Sequence, residues 1–445
     1  MKDAVPFTEE QLSAFRAQYE NDKTRRIAAN ALSKTGLADA AFCGTEAARM
    51  HHNFSIEIPT LPVTNQKASG RCWMFAALNV LRERVASKMG LEDFELSQSY
   101  LAFWDKFERA NYFLETILDT LDLDADDRVL ATVLQNGVHD GGQWDMFVNV
   151  VKKYGVVPKN VMPETFQSSN TGMMNSLLNT NLKECAVKLR AMHAAGSPME
   201  DLRAAKEEML GKIFCYLCTC YGEPPARFDF ECTDKEKCYH ADRDLTPRDF
   251  YDKYVGMNLD DYVSVIHAPT KDKPYNRMYT VRYLGNVVEG QRVSYLNLPM
   301  EELKALVIRQ LQDGEVVWFG SDVGKFGDRT GGSWDDRSFG YEELTGLTFR
   351  LTKEERLDYR DSAMNHAMVI TGVNLVDGKP NRWKIENSWG DDKGNKGYYI
   401  ASDSWFDQFV YQAVVQRKYL GEKEALLSEE PIELNPWDPM GSLAD

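Results

Sequence analysis

From Trp73 onward the apolar residues Phe75, Ala76, Val80, Leu81 and Val85 return at helical spacing, with Arg82, Glu83 and Lys88 between them. The pattern predicts a helix that starts where the polar, Gly-containing stretch 66–70 ends, so Cys72 sits at or beside its first position. Another helix opens at Thr8-Glu9-Glu10-Gln11, a capping box, and continues through Leu12, Phe15, Tyr19 and Ile27. Residues 53–59 read as a short extended segment leading to the Gln66 loop, and 96–115 as an aromatic-rich core helix. Locally, Gly141-Gly142 reads as a turn before a helix over 144–154. Ser197-Pro198-Met199-Glu200 combines an N-cap, a Pro in the first turn and a capping-box Glu. The helix it opens runs through Leu202, Met209, Ile213, Leu217 and Tyr221 and stops before Gly222-Glu223-Pro224-Pro225.

Further along, the pattern turns strand-like. Residues 315–323 read as a buried strand, followed by a Gly- and Asp-rich loop to Gly332. Strands are expected over 367–373, 382–388 and 397–402, the first two joined by the hairpin signal Asp377-Gly378. The expected class is α+β. At 445 residues the chain can bury a large core and form more than one folding unit.

Charge narrows the function classes. Asp and Glu number 68 against 52 Lys and Arg, a formal charge of −16, so nucleic acid is not an expected partner. No apolar run reaches the roughly 18–20 residues needed to span a bilayer, and Met1-Lys2-Asp3-Ala4-Val5-Pro6 lacks a signal-peptide pattern. The expectation is a cytoplasmic protein whose eight dispersed cysteines are thiols rather than disulfides. Cys215, Cys218, Cys220, Cys232, Cys238 and His240 have some look of a zinc set. Zinc ribbons present their first pair on a tight turn, whereas Cys215 and Cys218 fall in an apolar helical run and read as its buried face. His139 has no partner at ligand spacing and reads as structural. No metal or cofactor is expected.

A cysteine at a helix start is most often a small buried apolar side chain. Here, unpaired N–H groups and the helix dipole would favour a Cys72 thiolate by about 0.5–1 kcal/mol, and Arg71 would add a neighbouring positive charge. His366 opens one apolar β-branched run and Asn387 ends the next, so the hairpin lets them face each other. Thiolate, imidazole and orienting amide are the parts of a Cys-His-Asn triad.

These residues resemble a known family. Gln66, Gly70-Arg71-Cys72-Trp73, Asn365-His366-Ala367-Met368 and Glu386-Asn387-Ser388-Trp389-Gly390 are similar to the papain-like cysteine peptidases in type and in order. Asp140-Gly141-Gly142-Gln143-Trp144-Asp145-Met146 and the ending Pro436-Trp437-Asp438-Pro439-Met440-Gly441 resemble the bleomycin hydrolase and bacterial aminopeptidase C branch. The resemblance implies a two-lobed papain-like fold, with a helical lobe, a β-barrel-like lobe and a large, mainly helical insertion. Cys72 and His366 lie 294 residues apart against roughly 130–150 in papain, which implies an insertion of about 140–160. The expected division is an N-terminal arm and helical lobe over 1–161, an assembly insertion over 162–283, a β-rich lobe over 284–430 and a C-terminal arm over 431–445.

The resemblance also implies roles. Gln66 and the Cys72 N–H would form the oxyanion hole, Asn387 would orient His366, and Trp389 would shield their hydrogen bond, with Trp73 supporting the nucleophile. Gly141 and Gly142 would lie at the substrate-binding edge, beside Asn365, which stands where the family often has Thr. The terminal carboxylate, on Ala444 or Asp445, would meet the substrate's α-amino group and make the enzyme an aminopeptidase acting on peptides. A homohexamer is implied. The alternatives are an endopeptidase or oligopeptidase of the same branch, or a silent ring that binds peptide or nucleic acid.

Overall fold

The computed structural model describes residues 4–443. Its backbone is a twelve-stranded mixed sheet, with helices packed on it. The sheet runs Ile432–Leu434, Arg277–Val281, Ser294–Asn297, Tyr262–Ile266, Val410–Gln416, Val317–Ser321, His366–Val376, Lys379–Glu386, Tyr398–Ser402, Ser333–Trp334 and Gly327–Asp328, with Ile56–Glu57 paired to the His366 strand. Its central strands are buried on both faces, and their side chains alternate between two cores. Ala367 and Val369 join the core around the Cys72–Met89 helix, while Met368 and Ile370 join a second core lined by the Met300–Gln312 and Asp403–Phe409 helices. Asp377 and Gly378, both at positive φ (51° and 78°), make the tight turn between the two strands carrying the His366 and Asn387 ends.

The Cys72–Met89 helix lies directly on the His366 strand, fastened by buried polar contacts. Trp318 Nε1 donates to the Trp73 carbonyl at 3.0 Å. Arg82 pairs with Glu386 at 3.0 Å, both side chains almost fully buried, and Asn79 Nδ2 donates to the same carboxylate oxygen at 2.8 Å. Burial raises the Glu386 carboxyl while the Arg82 charge opposes that, so the pair is mutually dependent.

Within the expected insertion, the helices Gly172–Ala194 and Met199–Tyr221 pack on Gln98–Asp119, followed by a hairpin of Phe228–Thr233 and Tyr239–Leu245. The strands Tyr262–Ile266 and Arg277–Val281, which also fall within the expected insertion, join the large sheet. Tyr262–Ile266 is a β-branched run that pairs on both edges, with Val410–Gln416 and with Ser294–Asn297. Other local readings also shift. Pro198, not Ser197, is the N-cap residue of the Met199–Tyr221 helix. Cys215 is exposed rather than buried, because it falls on the outer side of that helix. The Thr8 capping box forms with Gln11, but the first helix ends at Asn21 and a second, Lys23–Leu32, is capped by Asp22.

Candidate active site

Cys72 is the first residue of its helix, and Arg71 at the N-cap makes no side-chain cap. No side chain competes for the first turn, and a helix N-terminus left without a side-chain cap is the condition under which a thiolate is favoured. Arg71 plays a different part from the one expected. Its guanidinium turns away to make a two-pronged contact with Glu164, at 3.1 and 2.8 Å, and lies over the Phe75 ring. Burial would raise the Glu164 carboxyl, but the Arg71 charge and hydrogen bonds hold it below its ordinary value. Arg71 is thus a neutralised strut under the loop, not an unpaired charge beside the thiol.

The loop is shaped by Asp140, whose part the sequence motif does not reveal. One carboxylate oxygen accepts the Gly70 N–H at 2.9 Å and the Thr171 hydroxyl; the other accepts Asn175 Nδ2 at 2.9 Å and pairs with Lys106 at 2.7 Å. Burial works against that charge, yet Lys106 and the hydrogen bonds hold the carboxyl well below the usual carboxylate range. The Asp140 carbonyl takes the Trp73 indole N–H at 2.7 Å. A Cβ on Gly142 would stand 2.4 Å from the Trp73 ring, and the Gly141 carbonyl accepts Arg109 Nη2 at 2.5 Å. Both glycines are buried, and packing against Trp73 accounts for Gly142 without any ligand. Trp73 thereby locks this segment against the Cys72–Met89 helix.

Across the cleft, His366 opens the His366–Val376 strand in register with Ser321. Its Nε2 lies 2.9 Å from Asn387 Oδ1. An amide oxygen only accepts, so Nε2 carries the proton and Nδ1 is the basic nitrogen. Burial lowers the His366 pKa to about 4; the Asn387 bond opposes this and the Arg329 charge adds to it. The neutral, proton-accepting form is thereby favoured. Trp389 packs on the imidazole with ring centres 4.8 Å apart, and Arg329 sits 5.0 Å over the Trp389 ring. The two lobes meet at the sulfur: the N–H of Ala367, the residue after His366, donates to Cys72 Sγ at 3.4 Å.

Gln66 completes the group. Its backbone N–H donates to the Ser388 carbonyl at 2.8 Å, its Oε1 accepts the Ser388 hydroxyl at 2.7 Å, and its Nε2 donates to the Ser69 carbonyl at 2.7 Å. An amide nitrogen has two protons, so one donor remains after the Ser69 bond. Ser388 also donates its backbone N–H to Asn387 Oδ1 at 2.8 Å. One residue thus fixes both the amide of the candidate oxyanion hole and the amide that orients the imidazole. Nothing in the sequence pattern marks Ser388 beyond its place after Asn387. Asn365 is exposed toward the cleft and anchored by its own amide, with Oδ1 accepting the Val323 N–H at 3.0 Å and Nδ2 donating to Asp322 at 2.6 Å.

The C-terminal arm borders a pocket that it shares with Asp322, Met364 and Asn365, next to His366 in the chain. Ile432–Leu434 adds a parallel strand beside Tyr279–Val281, Asp438 pairs with Lys273 at 3.0 Å, and Met440 is buried. Ser442 then touches both sides of the cleft: its carbonyl accepts Gln143 Nε2 and its hydroxyl donates to the Met364 carbonyl, each at 2.7 Å. Ala444 and Asp445 lie outside the described residues. Among the described residues no group of three or more His, Cys, Asp or Glu is placed to hold a metal ion, and no helix is long and apolar enough to cross a membrane.

A family model described as the Peptidase C1-like family matches residues 6–441. Aminopeptidase C of Lactobacillus delbrueckii subsp. lactis is 50% identical over 422 residues, 94% of each chain. Aminopeptidase C of Listeria monocytogenes serovar 1/2a is 48% identical over 439 residues, 98% of this chain and 99% of that one. The crystal structure of PepW from Lactobacillus rhamnosis HN001 superimposes over 100% of both chains at 49% identity, with a TM-score of 0.97. Matched almost end to end, with its α+β architecture papain-like, the chain belongs to the Peptidase C1-like family.

Proposed function

We propose that this chain is a cysteine aminopeptidase that removes N-terminal residues from peptides through a thioester. The observation that carries the reading is the meeting of Cys72 Sγ with the His366 strand, where the Ala367 N–H reaches the sulfur and Asn387 holds the imidazole. Cys72 passes its proton to His366 Nδ1 and attacks the first peptide carbonyl. The oxyanion is held by the Cys72 N–H and the remaining Gln66 Nε2 proton. His366 then protonates the leaving amine, and a water activated by the same imidazole hydrolyses the thioester. Asn365 lines the substrate's path, and the buried Gly141 and Gly142 shape the wall behind it through the Trp73 contact. The arm fills the far end of the cleft, and the carboxylate of Ala444 or Asp445 receives the substrate's ammonium group.

The reading extends to organisation. The helices after residue 162 form an assembly module ending before Tyr262, and the sheet from Tyr262 onward belongs to the β-rich lobe with the arm attached. Exposed Phe166, Met173, Leu177 and Val187 on that module support assembly, in line with a homohexamer in the cytoplasm. Light scattering that gives a monomer at micromolar concentration counts against the assembly. The activity is tested with Cys72→Ala on an aminoacyl p-nitroanilide: the variant keeps the fold by circular dichroism and loses hydrolysis, and retained hydrolysis overturns the assignment. Free peptides are cleaved and their N-acetylated forms are not; equal cleavage of both removes the exopeptidase reading.

A further inference from the structure

Gln143 occupies the N-cap of the Trp144–Tyr154 helix in extended conformation, yet its side chain makes no cap hydrogen bond. It is only 1% exposed, and its amide is directed at the arm instead, donating to the Ser442 carbonyl at 2.7 Å. The same arm residue donates its hydroxyl to the carbonyl of Met364, two positions before His366. Ser442 is therefore pinned once to the segment that supports Trp73 and once to the segment that leads into His366. We propose that Gln143 is the positioning residue that seats the end of the arm across the cleft, and so sets the balance between exo- and endopeptidase action. The inference rests on the aminopeptidase reading above.

The upstream tethers isolate this bond. The parallel pairing of Ile432–Leu434, the Asp438–Lys273 pair, the Trp437 ring under Arg128 at 3.8 Å and buried Met440 hold the arm as far as Gly441 without Gln143. Losing the Gln143 donor leaves Ser442 held only by its hydroxyl bond to the Met364 carbonyl, so the loosening is confined to the residues beyond Gly441 while the body of the fold stays intact. The chemistry also requires an amide. A Glu at 143 sets a carboxylate against the Ser442 carbonyl, acceptor against acceptor in a buried place, whereas a Met keeps the volume and offers no donor.

The test uses the full-length Gln143→Glu and Gln143→Met variants beside the unaltered enzyme. Each is assayed on an aminoacyl p-nitroanilide and on matched free and N-acetylated peptides, and the tail is probed by carboxypeptidase digestion read by mass spectrometry. The ratio of kcat/KM on N-acetylated to free peptide rises about tenfold for Gln143→Met, the scale of one lost buried hydrogen bond, and further for Gln143→Glu. KM for the free substrate rises while kcat changes little, and the tail is trimmed faster. An unchanged ratio with a protected tail in both variants overturns the seating role and leaves the aminopeptidase reading standing. An unaltered enzyme that fails on free amino termini overturns both. Should Gln143→Glu not fold, Gln143→Met alone decides.

Discussion

Ser388→Ala separates orientation of the oxyanion-hole amide from its presence. The Ser388 hydroxyl donates to Gln66 Oε1 and so fixes the amide with Nε2 turned toward the Ser69 carbonyl and the loop before Cys72. The substitution removes only that hydroxyl, because the Ser388 N–H to Asn387 and the Gln66 N–H to the Ser388 carbonyl are backbone contacts. A net hydrogen bond is worth about 0.5–1.5 kcal/mol, and complete loss of one oxyanion donor costs about 3 kcal/mol. The Ser69 carbonyl still restrains Nε2, so the effect falls between those limits, about 1.4–2 kcal/mol or a 10- to 30-fold drop in kcat. KM stays within about twofold, since the donor acts on charge that exists only in the tetrahedral intermediate. The assay is steady-state hydrolysis of an aminoacyl p-nitroanilide by Ser388→Ala, Gln66→Ala and the double variant. If Ser388 acts through Gln66, the double variant is no slower than Gln66→Ala. A double variant slowed by the product of the two single effects refutes the coupling, and so does a single Ser388→Ala variant as fast as the parent.

Asn387→Ala frees the imidazole to rotate and lowers kcat by less than Cys72→Ala; a rate equal to the parent enzyme argues that Trp389 packing alone orients His366. Glu386→Ala leaves Arg82 buried without its partner and costs about 3–5 kcal/mol in urea unfolding, while Arg82→Met with Glu386→Leu costs much less; equal losses refute the pairing argument. His366 is held neutral, with its pKa lowered to about 4 against 6.5 in the unfolded chain, so its contribution is complete above pH 6.5 and is lost as pH falls toward 4. Asp145 and Glu83, raised by burial to about 6 and about 7, bind protons in the native state and partly offset that loss. His366→Gln therefore flattens the acid limb of stability by up to about 1.4 kcal/mol per pH unit, and an unchanged slope in urea titrations at pH 4.5–6.5 contradicts the shift.

What is readable in the sequence is periodic or punctuated. The Cys72–Met89 and Met199–Tyr221 helices and the hairpin at Asp377-Gly378 follow from spacing and turn chemistry, each decided by local steric preference. The sheet membership of Tyr262–Ile266 is not readable in the sequence, because a short buried run carries no record of which sheet it enters. The Phe228–Thr233 hairpin escapes the pattern because its strands are largely exposed and lack a continuous apolar face. The first helix falls short of its expected length for a related reason. None of the residues in Glu9–Asn21 or Lys23–Leu32 is buried, so their apolar spacing reflects no core within this chain.

The site divides along the same line. Cys72, His366, Asn387 and Gln66 stand out as candidates because the chemistry needs those residue types, and a resemblance fixes their order. Arg71 shows the limit of adjacency: a charge next to a thiol in sequence can be spent on another partner in space, and Glu164 takes it. Asp140, Ser388 and Gln143 are not legible as site residues, since each acts through contacts over long sequence separations: 70 residues from Asp140 to Gly70, 322 from Ser388 to Gln66 and 299 from Gln143 to Ser442. All three place a catalytic or capping group instead of reacting, and reaction chemistry does not dictate which residue type does the placing. On this view, specificity in the fold is set by the residues that hold the arm and the two amides, and the Gln143 and Ser388 variants test it at both ends of the cleft.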